Sequence, residues 1–315
     1  MDYVFSVRNI RRGTFGSEPG ASHFLEVPQD AAAPDPAHRI TKRDWFAKVQ
    51  DKAKSGMLDG HPAGDIVMYV HGYNNSQTTM LARHRKIRRG LEAHGFGGVV
   101  VSFDWPSADS ALNYLEDRTD AKKTAFRLVD EGIASFAALQ RPDCRINMHL
   151  LAHSMGCYVL REAFDDADDR PAVAAHSWSV SQIMLVGADV SVDSMEEGNP
   201  KSSSLYRHCV RLTNYYNPYD NVLSLSHIKR IGVSPRAGRV GLPDRRPEKA
   251  VNIYCGDYFD RHKDMLGDHP NVAHSWYFDD AHFLQDVFLT VQGAMDRHEF
   301  PTRLPTTQGN LALRP

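Results

Sequence analysis

Leu150-Leu151-Ala152-His153-Ser154-Met155-Gly156 is the stretch on which the reading of this chain turns. An apolar run, Ile146-Asn147-Met148-His149-Leu150-Leu151, leads into it. Cys157-Tyr158-Val159-Leu160-Arg161-Glu162-Ala163-Phe164, compatible with a helix, follows at once. A strand that turns directly into a helix with serine at the apex forces that serine into strained backbone geometry. Only small residues fit two positions to either side, here Ala152 and Gly156, and the hydroxyl is left projecting above the edge of the sheet. Ala152 stands where glycine is commoner. Five residues alone carry little weight, and the strand before and the helix after are what add to it. The expectation is Ser154 as a nucleophile, against the plainer reading of an ordinary serine in a strand-to-helix turn.

Working outward, short β-rich runs alternate with helical patterns, the signature of an α/β fold with a mostly parallel sheet covered on both faces. The clearest strands are 66–70, 99–103, 146–151, 183–186, 210–216 and 251–255, and near-continuous apolar character in the middle of the set fits burial on both faces. Tyr3 to Val7 and His23 to Val27 read as antiparallel strands at one edge. Helices are expected over 41–54, with Thr41 and Asp44 as a weak capping box, and over 78–94, 120–139, 155–164 and 280–295. A single domain over 1–315 is expected, with residues 1–60 forming N-terminal edge strands and a helix. Residues 191–209 and 234–249 are polar and rich in Gly, Pro, Ser and Arg, and read as lid or mobile loops. The tail, 301–315, lacks periodicity and is expected to be loosely ordered.

Composition narrows the function classes. The 315 residues are 42% hydrophobic, and 37 basic residues face 39 acidic ones, so nothing suggests nucleic acid or an anionic membrane as partner. The basic run Arg83-His84-Arg85-Lys86-Ile87-Arg88-Arg89 reads as a solvated outer helix face, because Leu81, Ile87 and Leu91 share the opposite one. Met1-Asp2-Tyr3 does not open a secretory leader, and no run reaches the length of a membrane span. Cys144, Cys157, Cys209 and Cys255 have neither zinc-site nor disulfide spacing. A reduced, cytoplasmic protein with no metal and no cofactor is the default; its oligomeric state is not legible.

A serine hydroxyl needs a base, and the base needs an acid to hold its tautomer and stabilise its charge. In the α/β-hydrolases, which the turn at Leu150 to Gly156 resembles, the order along the chain is serine, acid, histidine, each on a loop after a strand. Asp220, in Asn217-Pro218-Tyr219-Asp220, follows the penultimate strand and is the expected acid, with a helix N-cap as its plainer or coexisting role. Asp189, one strand earlier, is the alternative. His274 follows the last strand and precedes the final helix, which favours it as base over His262, His269 and His282. His153 is expected to pack in the turn, because a residue adjacent to the nucleophile cannot easily swing its ring onto the hydroxyl. Val70-His71-Gly72-Tyr73-Asn74-Asn75 offers the place for oxyanion donors, assigned to the backbone N–H groups of Tyr73 and Met155. His71, Trp105 and His153 are candidates for the wall of a substrate pocket.

With these residues in place, the chain resembles a bacterial α/β-hydrolase of the group known as the domain of unknown function DUF900. The matching stretches are Tyr3 to Arg8, Val70-His71-Gly72-Tyr73-Asn74, Ser102-Phe103-Asp104-Trp105-Pro106-Ser107, Leu151 to Gly156, Asn217-Pro218-Tyr219-Asp220 and His274-Ser275-Trp276-Tyr277. The resemblance implies serine-dependent ester hydrolysis and carries Ser154, Asp220 and His274 over by position. It differs from the lipase and esterase branch in its lone His-Gly pair, where that branch has a longer glycine run. The expected activity is cleavage of a small-molecule carboxylic ester through an acyl-enzyme. The alternatives are a thioesterase, amidase or acyltransferase on the same triad, or a non-catalytic ligand-binding protein of hydrolase-like fold.

Overall fold

A computed structural model describes residues 1–58, 60–107, 114–137, 145–174, 178–228, 234–267, 269–306 and 310–315. In chain order the strands are β1 (Asp2–Arg11), β2 (Thr14–Val27), β3 (Arg39–Ile40), β4 (Lys54–Leu58), β5 (His61–Val70), β6 (Val99–Asp104), β7 (Arg145–His153), β8 (Val180–Val186), β9 (Cys209–Tyr216), β10 (Ala250–Tyr254), β11 (Arg303–Pro305) and β12 (Leu311–Leu313). Among the described residues they form one sheet in the order β11-β12-β10-β9-β8-β7-β5-β6-β1-β2-β3, with β4 paired to β5 beside this path. The run from β12 through β10, β9, β8, β7, β5 and β6 to β1 is parallel throughout. Among the named strands, antiparallel pairing joins β1–β2, β2–β3, β4–β5 and β11–β12. This is the α/β-hydrolase arrangement expected from the alternation of strand and helix patterns.

The central strands bury both faces. In β5, Ile66, Met68 and Val70 join the apolar cluster on one side of the sheet, and Val67 and Tyr69 join the cluster on the other. A two-residue period with no polar face is what a sheet sandwiched between helices requires. The β1–β2 hairpin turns at Arg12 and Gly13, both at positive φ (49° and 81°), the mirror-image turn whose twist matches that of the strands.

The helix starts follow capping chemistry. Thr41 caps the helix Lys42–Ala53 by accepting from Asp44 N–H (3.1 Å). Ser76 caps Gln77–Glu92 by accepting from Thr79 N–H (3.1 Å), and Asp280 caps Ala281–Gln292 by accepting from Phe283 N–H (2.6 Å). Each satisfies a donor that the first turn leaves open.

Three expectations are corrected. The described residues of the tail, 301–306 and 310–315, are not loose: β12 pairs parallel with β10, Leu311 and Leu313 are buried, and Arg303 is locked onto Asp286. Strands this short show no sequence period, and pairing with a formed sheet edge orders them. The segment 191–209 is packed and not a mobile loop. Its helix Pro200–Arg207 buries Ser202, Ser204, Leu205 and Tyr206, with Ser204 Oγ donating to Phe164 O (2.5 Å) and Tyr206 Oη to Met195 O (2.8 Å). In 234–249, Arg236, Ala237 and Leu242 are likewise buried, and residues 235–238 bond back to 188–192. The basic run on Gln77–Glu92 is not simply solvated either: His84 is buried, and Arg85 donates to Asp2 Oδ2 (2.7 Å).

Candidate active site

Ser154 lies between β7 and the helix Met155–Asp168 with φ 56° and ψ −125°. A non-glycine residue held there costs about 1–3 kcal/mol and persists only when its surroundings dictate it. The surroundings do. Ser154 N–H donates to Val186 O (3.0 Å), and its carbonyl accepts from Cys157 N–H (3.0 Å) and Asp189 N–H (3.1 Å). The need for a small residue two positions on is steric, since a Cβ on Gly156 would lie 2.3 Å from Val70 O and 2.5 Å from His71 O. Met155 is the first helical residue, so its N–H has no partner within the helix and points to the positive end of the dipole.

Asp220 lies immediately before the helix Asn221–Ile228 and its side chain divides its two oxygens. Oδ1 accepts from Leu223 N–H (3.1 Å), and Oδ2 faces His274 Nδ1 at 2.6 Å. Capping and imidazole binding therefore coexist. Asp220 is fully buried, and His274 is 8% exposed. With Nδ1 bound to the carboxylate, Nε2 is the ring nitrogen left to act as base.

The loop that carries His274 is tied down at two further points. Asn217 Nδ2 donates to Ala273 O (3.0 Å), and His153 Nε2 donates to His274 O (2.8 Å). Burial, followed by the nearby His274, pushes the His153 imidazole well below its ordinary pKa, so it is neutral and serves as a tether. Gly187, at the end of β8 next to Val186, closes the arrangement from below. A Cβ there would stand 3.5 Å from Asp220 Oδ2 and from the His274 ring. Ser154 follows β7, Asp220 follows β9 and His274 lies on the chain after β10, and the end of β8 touches all three through Val186 O and Gly187. Among the described residues Ser154 Oγ and His274 Nε2 make no hydrogen bond; such contacts are often long in a free enzyme and tighten with substrate.

Asp189 is placed otherwise. Its carboxylate forms an ion pair with Arg236 at 3.0 Å, with both side chains buried. Of the other histidines, His262 and His282 stack on Tyr258. A second Ser–His–Asp set exists in Ser102, His84 and Asp2, with distances of 2.8 Å and 3.5 Å, but all three residues are at most 1% exposed. Residue types alone therefore do not define the site; access does.

The loop after β5 runs against the serine. A Cβ on Gly72 would lie 2.9 Å from Ser154 Cβ and 3.1 Å from His153 Nδ1. Behind it, Trp105 Nε1 donates to His71 O (2.7 Å), and the two rings stack with centroids 5.4 Å apart. His71 Nε2 lies 3.3 Å from Asp104 Oδ1, and Asp104 accepts from Arg8, Ser6 and Gln77, each at 2.8 Å. Burial alone would raise the Asp104 pKa, but Arg8 and His71 outweigh it and hold the carboxyl ionised. His71 and Trp105 are fully buried and His153 is 2% exposed, so none of them is a pocket wall as expected from sequence. They support the loop and the His274 segment from behind. Asn217, Asn75 and Arg83 were not singled out by the sequence reading. The signals that point to them are the pair Asn74-Asn75, the Asn217-Pro218 turn and the basic run that Arg83 opens.

A family described as alpha/beta hydrolase of unknown function, DUF900, matches residues 48–253. The chain belongs to this family. The matched stretch contains Ser154, Asp220 and the loop 70–75, while His274 lies beyond it. An uncharacterized protein of Nostoc sp. is 25% identical, in a match covering 52% of this chain and 54% of that protein. The chain thus spans about half the length of that relative. Among solved structures, a gene product of Listeria innocua is similar over 79% of this chain and 98% of its own, at 10% identity and a TM-score of 0.42. A cutinase-like protein from Cryptococcus sp. matches over 74% of this chain and 94% of its own, at 14% identity and a TM-score of 0.35. Esterase B from Lactobacillus rhamnosis matches over 76% of this chain and 82% of its own, at 11% identity and a TM-score of 0.37. Among the described residues, no helix is long and apolar enough to cross a membrane, and no group of three or more His, Cys, Asp or Glu side chains could hold a metal ion.

Proposed function

We propose that this DUF900 hydrolase cleaves small carboxylic esters through an acyl-enzyme on Ser154, with His274 as base and Asp220 as its acid partner. The observation that carries the reading is the 2.6 Å contact between His274 Nδ1 and Asp220 Oδ2, above the strained turn that presents Ser154. In the first half-reaction Ser154 Oγ attacks the ester carbonyl while its proton passes to His274 Nε2. The carbonyl electrons move onto oxygen, and the backbone N–H groups of Tyr73 and Met155 stabilise that charge. Collapse expels the alkoxide, which takes the proton from His274 and leaves an acyl-Ser154 ester. Water then repeats the sequence, losing its proton to His274, and releases the carboxylic acid with Ser154 restored.

The experiment is turnover of p-nitrophenyl esters of graded acyl length by the wild type and by Ser154→Ala, with a fluorophosphonate probe read in parallel. The wild type is expected to turn over short activated esters and to be labelled. Ser154→Ala is expected to lose both, at an unchanged circular-dichroism spectrum. Undiminished hydrolysis by Ser154→Ala would overturn the assignment.

A further inference from the structure

Two carbonyls of the loop facing Ser154 are held from behind by side chains. His71 O accepts from Trp105 Nε1, and Gly72 O accepts from Asn75 Nδ2 (2.8 Å) as well as lying 2.8 Å from His71 Nδ1. The peptide bonds are trans, so the N–H of each following residue points opposite to the carbonyl. Fixing Gly72 O toward Asn75 therefore turns Tyr73 N–H away from the buried side of the loop. The next residue, Asn74, sits at φ 52°, a left-handed conformation that L side chains adopt at a cost and that the loop has to hold in place.

Asn75 is built as a fixed post. It is 3% exposed, and its Oδ1 accepts from Arg83 Nη1 (2.8 Å), which settles which end of the amide faces Gly72. Its backbone carbonyl accepts from Ser107 Oγ (3.2 Å) and Arg8 Nη2 (3.4 Å). Arg83 continues toward the other half of the site. Its guanidinium lies 5.0 Å over the Phe278 ring, which meets the His153 ring edge-on at 5.0 Å, and His153 in turn holds His274 O.

We propose that Asn75 is a positioning residue that orients Tyr73 N–H as an oxyanion donor, and that Arg83 fixes Asn75 and links the donor loop to the loop carrying the base. The proposal rests on the esterase reading of Ser154. Asn75 touches no reacting atom, and its effect passes through the Gly72–Tyr73 peptide. Its removal takes from Gly72 O one of its two partners, loosens that peptide and costs the transition state one well-oriented donor, while substrate in its ground state is bound as before.

The test measures p-nitrophenyl butyrate hydrolysis by the wild type, Asn75→Ala, Asn75→Asp and Arg83→Met. Inhibition by a trifluoromethyl ketone, which forms a charged tetrahedral adduct on serine, and by butyrate, which forms none, is measured alongside. Asn75→Ala is expected to lower kcat about 10²-fold, the size of losing one oxyanion donor, with KM changed less than about threefold. The ketone Ki should rise by the same factor as kcat/KM falls, and the butyrate Ki should hold. Asn75→Asp keeps the acceptor for Arg83 but sets an anion against Gly72 O. It should show the same pattern if the alanine variant fails to fold. Arg83→Met should show it in weaker form. An active wild type with Asn75 variants of unchanged kcat, or with lowered kcat and an unchanged ketone Ki, overturns this inference alone. A wild type that neither hydrolyses ester nor binds the ketone overturns the esterase reading and this inference with it.

Discussion

The Asp189 carboxylate lies 3.0 Å from the Arg236 guanidinium, and both side chains are at most 4% exposed. Two aspartates follow adjacent strands of this sheet, and their surroundings give them different work. Asp189 offsets a buried cation, while Asp220 binds an imidazole and a helix N-terminus.

That division separates two variants. Asp220→Asn should lower kcat by about 10³–10⁴-fold, because an amide cannot hold His274 in the tautomer that leaves Nε2 basic. Asp189→Asn leaves Arg236 buried beside a neutral group and should cost about 3–5 kcal/mol of stability. Its folded fraction should retain kcat/KM within a few-fold. Ester kinetics with urea unfolding curves distinguish the two, and the reverse pattern would make Asp189 the acid.

Stability should fall as the solution is acidified through the histidine range. His153 and His84 are buried, and burial holds both below the ordinary histidine value. The unfolded chain therefore binds more protons than the folded one below pH ~6.5, so this contribution is fully present above that pH and is lost as pH falls toward the folded pKa values. Each histidine adds at most about 1.4 kcal/mol per pH unit in that window. Asp2, lowered to about 2 against the opposing effect of burial by its contacts with His84, Arg85 and Arg88, acts further down and is lost between about 3.8 and 2. Thermal midpoints from pH 8 to pH 5 should drop below pH ~6.5, and His153→Gln should flatten the curve. A flat wild-type profile would mean that these rings are protonated as readily folded as unfolded.

The C-terminal strands depend on one buried cation. Arg303 donates to both oxygens of Asp286 (2.7 and 2.8 Å), which also accepts from Tyr215 Oη (2.6 Å) and Thr302 Oγ1 (2.5 Å). Arg303→Met leaves that carboxylate without its counter-charge and should cost about 3–5 kcal/mol, whereas Arg303→Met with Asp286→Leu should recover part of the loss. Urea unfolding of the single and double variants reads the difference. A single variant within about 1 kcal/mol of the wild type would show that the tail is held by strand pairing alone.

The turn at Ser154 was legible because its demands are local. A strand, a serine, a helix and small residues two positions away are all contained in residues 146–164, and steric exclusion at Gly156 acts over a few ångströms. The central strands were legible for a similar reason, since burial on both faces writes itself as an unbroken apolar run. His71 and Trp105 were misread as pocket walls because an aromatic at a strand end looks the same whether it faces a ligand or stacks behind a loop.

What the sequence alone determined is the parallel sheet, the turn at Ser154 and the placing of Ser154, Asp220 and His274, in that order, after strands of the sheet, since each follows from residue type and spacing along the chain. Tertiary structure alone decided which aspartate meets His274, because the ion pair of Asp189 with Arg236 joins residues 47 positions apart. It also turned the basic run on Gln77–Glu92 from a solvated face into a set of partners for Asp2 and Asn75, and ordered the tail on Asp286. Charges are satisfied by whatever the fold brings within about 4 Å, and one sequence read along its length carries no record of that distance.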